Sequence, residues 1–121
     1  MSDLKVTTIS DLAGTGPVTL LKQSAAKAWC HWTEQTTVSI NGSFNASSLA
    51  DEGTGQTGIN FTSAMATNDY AITFSTSVAD CGGFDSNSIG TTAKATHQSR
   101  DQNGNNFDAS VACMICVGDL A

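Results

Sequence analysis

The sequence has little charge and few of the residues that build long helices. Charged residues make up 13% of the 121 residues, about half the share usual in globular domains. Two glutamates, four lysines and one arginine are too few for a long amphipathic helix with a salt-bridged outer face. Ala, Ser, Thr, Asn and Gly instead form more than half of the chain, and hydrophobic residues reach 40%. This composition predicts a small β-rich domain and not a disordered acidic tail.

Other features that are missing exclude several classes of partner. The single proline excludes a collagen or polyproline tract. The formal net charge of −6 argues against a nucleic acid as partner. The first ten residues lack the basic and apolar regions of a signal peptide. The longest apolar run, residues 111–117, is far shorter than the roughly 20 residues that span a bilayer. We therefore expect no nucleic-acid partner and no membrane insertion.

The four cysteines lie at positions 30, 81, 113 and 116. Cys113 and Cys116 form a C-x-x-C motif, but their flanks are typical of a strand, in which residues three apart point to opposite faces. We interpret them as buried structural thiols, although a disulfide-bonded or metal-bound state stays open. A zinc site built from these cysteines with His31 and His97 would have only one close ligand pair, whereas structural zinc sites usually have two. We predict no metal and no cofactor.

Alternating apolar and polar residues predict strands at intervals of roughly ten residues. Trp29 and His31 should lie on one face of the first strand, and Cys30 and Trp32 on the other. Further strands are predicted over residues 36–40, 43–49, 58–62, 70–78, 89–97 and 108–117, with Asn41–Gly42 as a turn, 81–87 as a loop, 89–97 polar and at an edge or exposed face, and 108–117 central. We predict an all-β fold, an antiparallel β-sandwich or barrel-like knob over residues 27–121, preceded by an extended arm over residues 1–26.

Nothing in the pattern specifies an active site. Serines are abundant but none lies in a G-x-S-x-G motif, and neither histidine has an acidic partner near it in sequence. A glycosidase pair would need two convergent carboxylates. The five candidates all lie in predicted turns, where aspartate is expected for turn chemistry alone: Asp51, Glu52, Asp69, Asp80 and Asp85. We predict that the protein is not an enzyme, and a glycan depolymerase is the less favoured alternative.

One stretch of about 50 residues resembles a module of tailed bacteriophages and prophages. The matching pattern is K-A-W from Lys27, S-F-N-A-S-S-L-A-D-E-G-T-G from Ser43, I-N-F-T-S-A-M from Ile59 and Y-A-I from Tyr70. Gly58 departs from the aromatic residue common there, the segment after Trp29 differs, and so does the C-terminal end. The ligand-binding surface is therefore not defined by the resemblance.

The resemblance implies a non-enzymatic virion surface protein, assembled in the host cytoplasm and associated as a homotrimer. It implies a short tail fibre or receptor-binding knob, or a head fibre, that contributes to host attachment. A capsid decoration protein without a receptor role is the alternative. We expect the arm to dock onto another virion protein, either tail or capsid, or to intertwine with sister chains, through Leu4, Val6, Ile9, Leu20 and Leu21. We expect two loops to bind a host glycan or protein through Phe84, Asp85, Asn87, Arg100, Asn103, Asn105 and Phe107.

Overall fold

The structure is a computed structural model that describes residues 25–77, the backbone of 81–83, and residues 90–121. In this part of the chain every regular element is a β-strand. The eight strands are β1 (Ala28–Thr33), β2 (Ser39–Phe44), β3 (Ala46–Gly53), β4 (Gln56–Phe61), β5 (Ala71–Thr76), β6 (Cys81–Gly83), β7 (Lys94–Arg100) and β8 (Ala112–Val117).

The strands form two four-stranded antiparallel sheets that pack together. The front sheet has the order β2-β1-β8-β5, and the back sheet has the order β3-β4-β7-β6. The sheets do not close on each other, so the fold is a sandwich and not a barrel. The prediction of an all-β antiparallel sandwich is thus confirmed.

Every second residue of β1 and β8 is buried, which explains why these segments form strands around one core. In β1 the residues Ala28, Cys30 and Trp32 are buried, whereas Trp29 is exposed and His31 is half-buried. Residues 112, 114 and 116 of β8 are buried in the same way. Ile59 and Phe61 of the back sheet complete the core. Since each strand turns alternate side chains inward, a short apolar set is enough to join the two sheets.

Three details of the strand prediction are wrong. Asn41 and Gly42 do not form a turn but lie inside β2, beside a bulge where the register with β1 shifts. Residues 81–83 form a short strand instead of part of a loop. The polar strand predicted at an edge is β7, which is central in the back sheet and buried from Ala95 to Ser99. Polar residues are tolerated in β7 because many of them bond to partners inside the sandwich.

The sandwich has two distinct ends. At the arm end, residues 25–27 enter β1, and the Asn45 side chain donates hydrogen bonds to the carbonyl oxygens of Lys27 and Ser63 at 3.0 Å. Asn45 has φ 55° and connects β2 of the front sheet to β3 of the back sheet. At the loop end, the β3–β4 turn meets residues 99–108. The described chain therefore begins at the end opposite to these loops.

Candidate binding surfaces

Residues 100–107 form a loop that is organised by one carboxylate. Asp101 Oδ1 accepts hydrogen bonds from the backbone N–H groups of Asn103 and Asn105, at 2.9 and 2.8 Å, and Oδ2 accepts one from the Asn105 side chain at 3.0 Å. The Asn105 bonds, followed by those of Asn103, lower the pKa of Asp101. The carboxylate thus remains charged and fixes a loop that has few apolar contacts of its own.

The β3–β4 turn packs against this loop and bonds to it. Gly55 N–H donates a 2.6 Å hydrogen bond to Asp108 Oδ1, and Ser99 N–H donates one of 2.7 Å to the Gly55 carbonyl. A Cβ atom on Gly55 would lie 2.6 Å from the Ser99 carbonyl oxygen and 2.7 Å from that of Phe107. Gly55 also has φ 67°. Only glycine permits this close packing of the two loops.

The predicted receptor-binding residues fall into three groups. Arg100, Asn103 and Phe107 are exposed at the loop end, and Phe107 leaves 39% of its surface in solvent. Asn105 is exposed, but its side-chain amide is bonded to Asp101. The third group, Phe84, Asp85 and Asn87 of the other predicted loop, lies outside the described residues. The residues predicted to anchor the arm also lie outside them: Leu4, Val6, Ile9, Leu20 and Leu21.

A second surface lies on the outer side of the front sheet. Phe44, Trp29 and Ile115 form a row across β2, β1 and β8, because Trp29 pairs with Phe44 on one side and with Ile115 on the other. Their exposed fractions are 53%, 41% and 50%. The Trp29 ring lies over Gly42. Beside Ile115, a shallow depression is lined in part by Thr73, Ser75 and Cys113. We call the three large residues the apolar row.

The front sheet carries no charge in its strands. The sequences of β1, β2, β5 and β8 contain no Asp, Glu, Lys or Arg, whereas Asp51, Glu52, Lys94 and Arg100 lie in strands of the back sheet. Solvent-facing sheets and edge strands usually carry charges that prevent association. The outer side of the front sheet therefore has the composition of a contact surface.

A buried polar cluster lies between the sheets at the loop end. The Glu34 carboxylate accepts a hydrogen bond from His97 Nδ1 at 2.9 Å. The other donors to this carboxylate are Thr57 Oγ1 and Ser99 Oγ at 2.9 Å, the Ala109 N–H at 3.0 Å, and Trp32 Nε1 at 3.2 Å. Both side chains of the His97–Glu34 pair are sealed from solvent, at 0% and 1% exposed. A substrate cannot reach this pair, so its evident role is to join the sheets.

The hydrogen bonds to Glu34 outweigh the cost of burying its charge. Burial by itself would raise the pKa of the carboxyl, but the bonds from His97, the Ala109 backbone and Ser99 lower it from 4.5 to about 2. Because the carboxylate can only accept, His97 Nδ1 carries the proton in the pair. His97 Nε2 has no hydrogen-bond partner among the described residues, and the ring packs against Trp32 and Phe74, with centroids 5.2 and 5.0 Å apart.

Sequence reasoning did not find this cluster. It left His97 without an acidic partner, whereas Glu34 lies 63 positions away in the chain and bonds to it directly. One signal was present in the sequence. Glu34 continues the inward alternation of Cys30 and Trp32, and a carboxylate at an inward position requires donors around it.

The two cysteines of the C-x-x-C motif point to opposite faces of β8, as the strand pattern predicts, but Cys113 is half-buried and not buried as expected. Cys116 is buried, and Cys113 lies on the outer side of β8. Cys30, Cys113 and Cys116 are free thiols. Burial raises the pKa of Cys30 and of Cys116 to about 11, and at Cys30 the nearby Cys113 adds to the effect. These two thiols are therefore protonated and unreactive at neutral pH.

The candidate carboxylates serve turns and surface pairs as far as the structure describes them. Asp51 Oδ1 accepts a hydrogen bond from the Gly53 N–H at 3.1 Å. Glu52 pairs with Lys94 at 2.5 Å. Asp69 is exposed, directly after the bend at residues 66–68, and Asp80 and Asp85 lie outside the described residues. Within the described ranges, no group of three or more His, Cys, Asp or Glu side chains is placed to hold a metal ion.

Most residues of the phage-like pattern have a role in the fold. Asn45 forms the corner between the sheets, Gly55 packs the turn against the loop, and Met65 is buried in the core. The Tyr70 hydroxyl lies 3.1 Å from the carbonyl oxygens of Thr91 and Lys94, and burial, followed by Cys116, raises its pKa to about 12. Two large residues of the pattern are exposed and therefore do not contribute to the core: Trp29 and Phe44.

Comparisons with known proteins add no relative. No protein-family model, no curated protein and no solved structure gives a significant match to this chain. Across the described residues, the structure has no helix that is long and apolar enough to cross a membrane.

Proposed function

We propose that the chain is a non-enzymatic surface module of a tailed-phage virion, a short fibre or knob that contributes to host attachment. The observation that carries the proposal is the two-ended construction of the sandwich. The described chain begins at Ala25, at the arm end, and the Asp101 loop lies at the opposite end. An anchored module with an exposed binding tip needs this arrangement.

The side chains exposed at the loop end suit the binding of a glycan or a protein surface. Phe107 offers an exposed aromatic face, and the exposed Arg100 and Asn103 offer donors in the same loop. Aromatic rings with adjacent amides and hydroxyls are the usual contacts of adaptable binding loops. The loop is held by Asp101 and by Gly55, so little conformational entropy is lost when a ligand binds.

The phage-like pattern supports the particle context. Its residues from Ser43 to Tyr70 cross from β2 of the front sheet to the paired strands β3 and β4 of the back sheet, and the Tyr70 hydroxyl bonds to the Lys94 carbonyl at the arm end. The proposed partners are two sister chains in a homotrimer and a second virion protein that receives the arm. A capsid decoration protein is the second candidate, because the uncharged front sheet would also suit a module that only reinforces a shell.

The tip can be tested with a matched pair of surface variants. Phe107→Ser removes a side chain that is 39% exposed at the loop end, and Leu120→Ser removes one that is 37% exposed at the arm end. We expect Phe107→Ser to weaken adsorption of the protein to host cells about tenfold, the usual cost of losing a central aromatic contact, and Leu120→Ser to leave it unchanged. Adsorption is measured by the binding of fluorescently labelled protein to host cells.

The outcomes separate the two candidates. Equal adsorption of both variants would contradict the receptor-binding role. If particles that lack the protein then adsorb normally but break at lower osmotic stress, the decoration role replaces it. Both variants must retain the thermal midpoint of the original chain, so that a loss of adsorption reports on the surface and not on folding.

A further inference from the structure

The apolar row leaves three large side chains in solvent on one face of the sandwich. Phe44, Trp29 and Ile115 are each about half exposed in neighbouring strands of the front sheet. Contiguous apolar patches of a few hundred Å² on soluble proteins mark contact sites. We propose that the outer side of the front sheet is the surface on which a second copy of this chain packs, with the apolar row as its main contact.

The residues beside the row are small or half-buried. Thr73 pairs with Ile115 and extends the row onto β5, and in the next set of pairs Cys113 lies between His31 and Ser75. Thr73 and Ser75 are exposed, whereas His31 and Cys113 are half-buried. Since none of these side chains blocks the face, a second sheet can approach it to the roughly 10 Å at which packed sheets interdigitate.

Charge favours a second copy as the occupant of this face. The chain has a formal net charge of −6, so two copies repel each other wherever their acidic surfaces meet. The back sheet carries Asp51 and Glu52 in β3, but the four strands of the front sheet contain no Asp, Glu, Lys or Arg. A basic partner would find no carboxylate here to pair with, whereas the same uncharged face on a second copy matches it.

The area of the face is sufficient for such a contact. Its four strands have six residues each and measure about 20 Å by 20 Å, or about 400 Å² in projection. The accessible surface of projecting side chains exceeds this projection, so two copies would bury on the order of 1,000 Å² in total, the area that specific interfaces reach. Interfaces at this lower limit are weak, and we therefore expect an association that depends on protein concentration.

This inference deepens the proposed function, because it rests on the sister chains proposed there and names the surface by which they bind. The Asp101 loop lies outside the four strands of the front sheet. Host attachment and association between copies would thus use different residues.

Light scattering of the full chain after size-exclusion chromatography tests the contact. We expect the molar mass of the original chain to rise with concentration, from that of one chain at low micromolar concentration to a multiple of it. Ile115→Glu puts a charge into the row on every copy and should weaken the association at least tenfold. The matched control is Leu120→Glu, which replaces a side chain that is 37% exposed and lies outside the four strands. This control should associate like the original chain.

The fluorescence of Trp29 provides a second measurement on the same face. The chain has two tryptophans, and Trp32 is fully buried, so quenching by acrylamide reports mainly on Trp29. We expect quenching in the original chain to rise on dilution, as the Trp29 ring leaves the contact, and to be high at every concentration in Ile115→Glu. Phe44→Glu, in the edge strand β2, is the second variant if Ile115→Glu lowers the thermal midpoint.

Three results would overturn the inference. The first is an original chain that stays monomeric up to high micromolar concentration. The second is an oligomer that persists in both Ile115→Glu and Phe44→Glu, which would move the contact to another surface and leave the proposed function standing. The third is equal dissociation of Ile115→Glu and Leu120→Glu. A failure of the proposed function is measured separately, by the adsorption of Phe107→Ser to host cells.

Discussion

Glu34 is the residue on which the two sheets most depend. It is one of two glutamates in the chain, and it accepts hydrogen bonds from His97, Thr57 and Ser99 of the back sheet and from the Ala109 backbone. Each of these buried donors would lose its partner if the carboxylate were changed. Removing one partner of a buried charged pair leaves the other without its hydrogen bond. The resulting loss in the free energy of unfolding is far larger than the net stabilisation of the intact pair over apolar residues in its place.

The first prediction concerns Glu34→Gln. The amide nitrogen cannot accept the two bonds that Oε2 receives from Ser99 and Ala109, so we expect the free energy of unfolding to fall by about 3 kcal/mol. The matched control is Glu52→Gln, which breaks only the partly exposed pair with Lys94 and should cost less than about 1 kcal/mol. Urea denaturation at neutral pH measures both. Similar losses in the two variants would contradict the role assigned to Glu34.

The pH dependence of stability should carry the signature of the same carboxylate. The pKa of Glu34 is about 2 in the folded protein, below the 4.5 of the unfolded chain, so the folded state binds the proton less readily. Its contribution is complete above pH 4.5 and is lost as pH falls from 4.5 to about 2. The stability difference between the original chain and Glu34→Gln should narrow over this interval. A constant difference down to pH 2 would contradict the assignment.

At the scale of elements, the packing of the loop end depends on one glycine, Gly55. Gly55 combines a positive φ with the carbonyl oxygen atoms of Ser99 and Phe107 at 2.6 and 2.7 Å from the place a Cβ would take. Gly104 also has a positive φ of 84°, but nothing lies within 4 Å of its would-be Cβ. A comparison of alanine at the two positions therefore distinguishes the cost of a positive φ from the cost of displacing neighbouring backbone atoms.

The second prediction compares Gly55→Ala with Gly104→Ala. Gly104→Ala should lower the free energy of unfolding by about 1 kcal/mol, the cost of placing alanine at positive φ. Gly55→Ala must also displace Phe107 and Ser99 backbone atoms, so we expect a loss of about 3 kcal/mol. Hydrogen exchange at the Phe107 N–H, which donates to the Ser99 carbonyl at 3.2 Å, should accelerate only in Gly55→Ala. Equal losses and equal exchange rates would show that the turn does not support the loop.

The sequence predicts the elements well where one face of a strand is apolar. The alternation in β1 placed Cys30 and Trp32 on the face opposite to Trp29 and His31, as the structure has them. The apolar run of residues 111–117 likewise indicated a central strand, which is β8. The pattern failed for β7, because threonine, histidine and glutamine read as an exposed strand unless their buried partners are known. It also failed at Asn41–Gly42, where the local turn preference gives way to pairing with β1.

The binding surfaces are less predictable than the strands. The exposed loop that contains Asn103 and Phe107 is visible as a polar stretch with one aromatic residue. The apolar row is not visible, because Trp29, Phe44 and Ile115 come from three separate segments and meet only through strand pairing. Likewise, the Glu34 cluster depends on contacts across 63 and 75 positions, which no local pattern encodes.

At the scale of the molecule, the sandwich separates two tasks. The arm end holds the entry of the chain, the Asn45 corner and the apolar row, and the loop end holds the Asp101 loop. The front sheet is uncharged, while charged residues occupy the back sheet. These asymmetries fit a module that is fixed at one end and exposed at the other, which is the central claim of the proposed function.

The most direct test of that claim is the orientation of the protein on the virion. Under the proposal the chain is part of a virion, and electron cryomicroscopy of those purified particles would place the sandwich in the density of the particle surface. The proposal predicts that Ala25 faces the particle and that the loop of Asp101 and Phe107 points into solvent. Absence of the protein from purified particles, or an orientation with the Asp101 loop buried against the shell, would contradict the proposal.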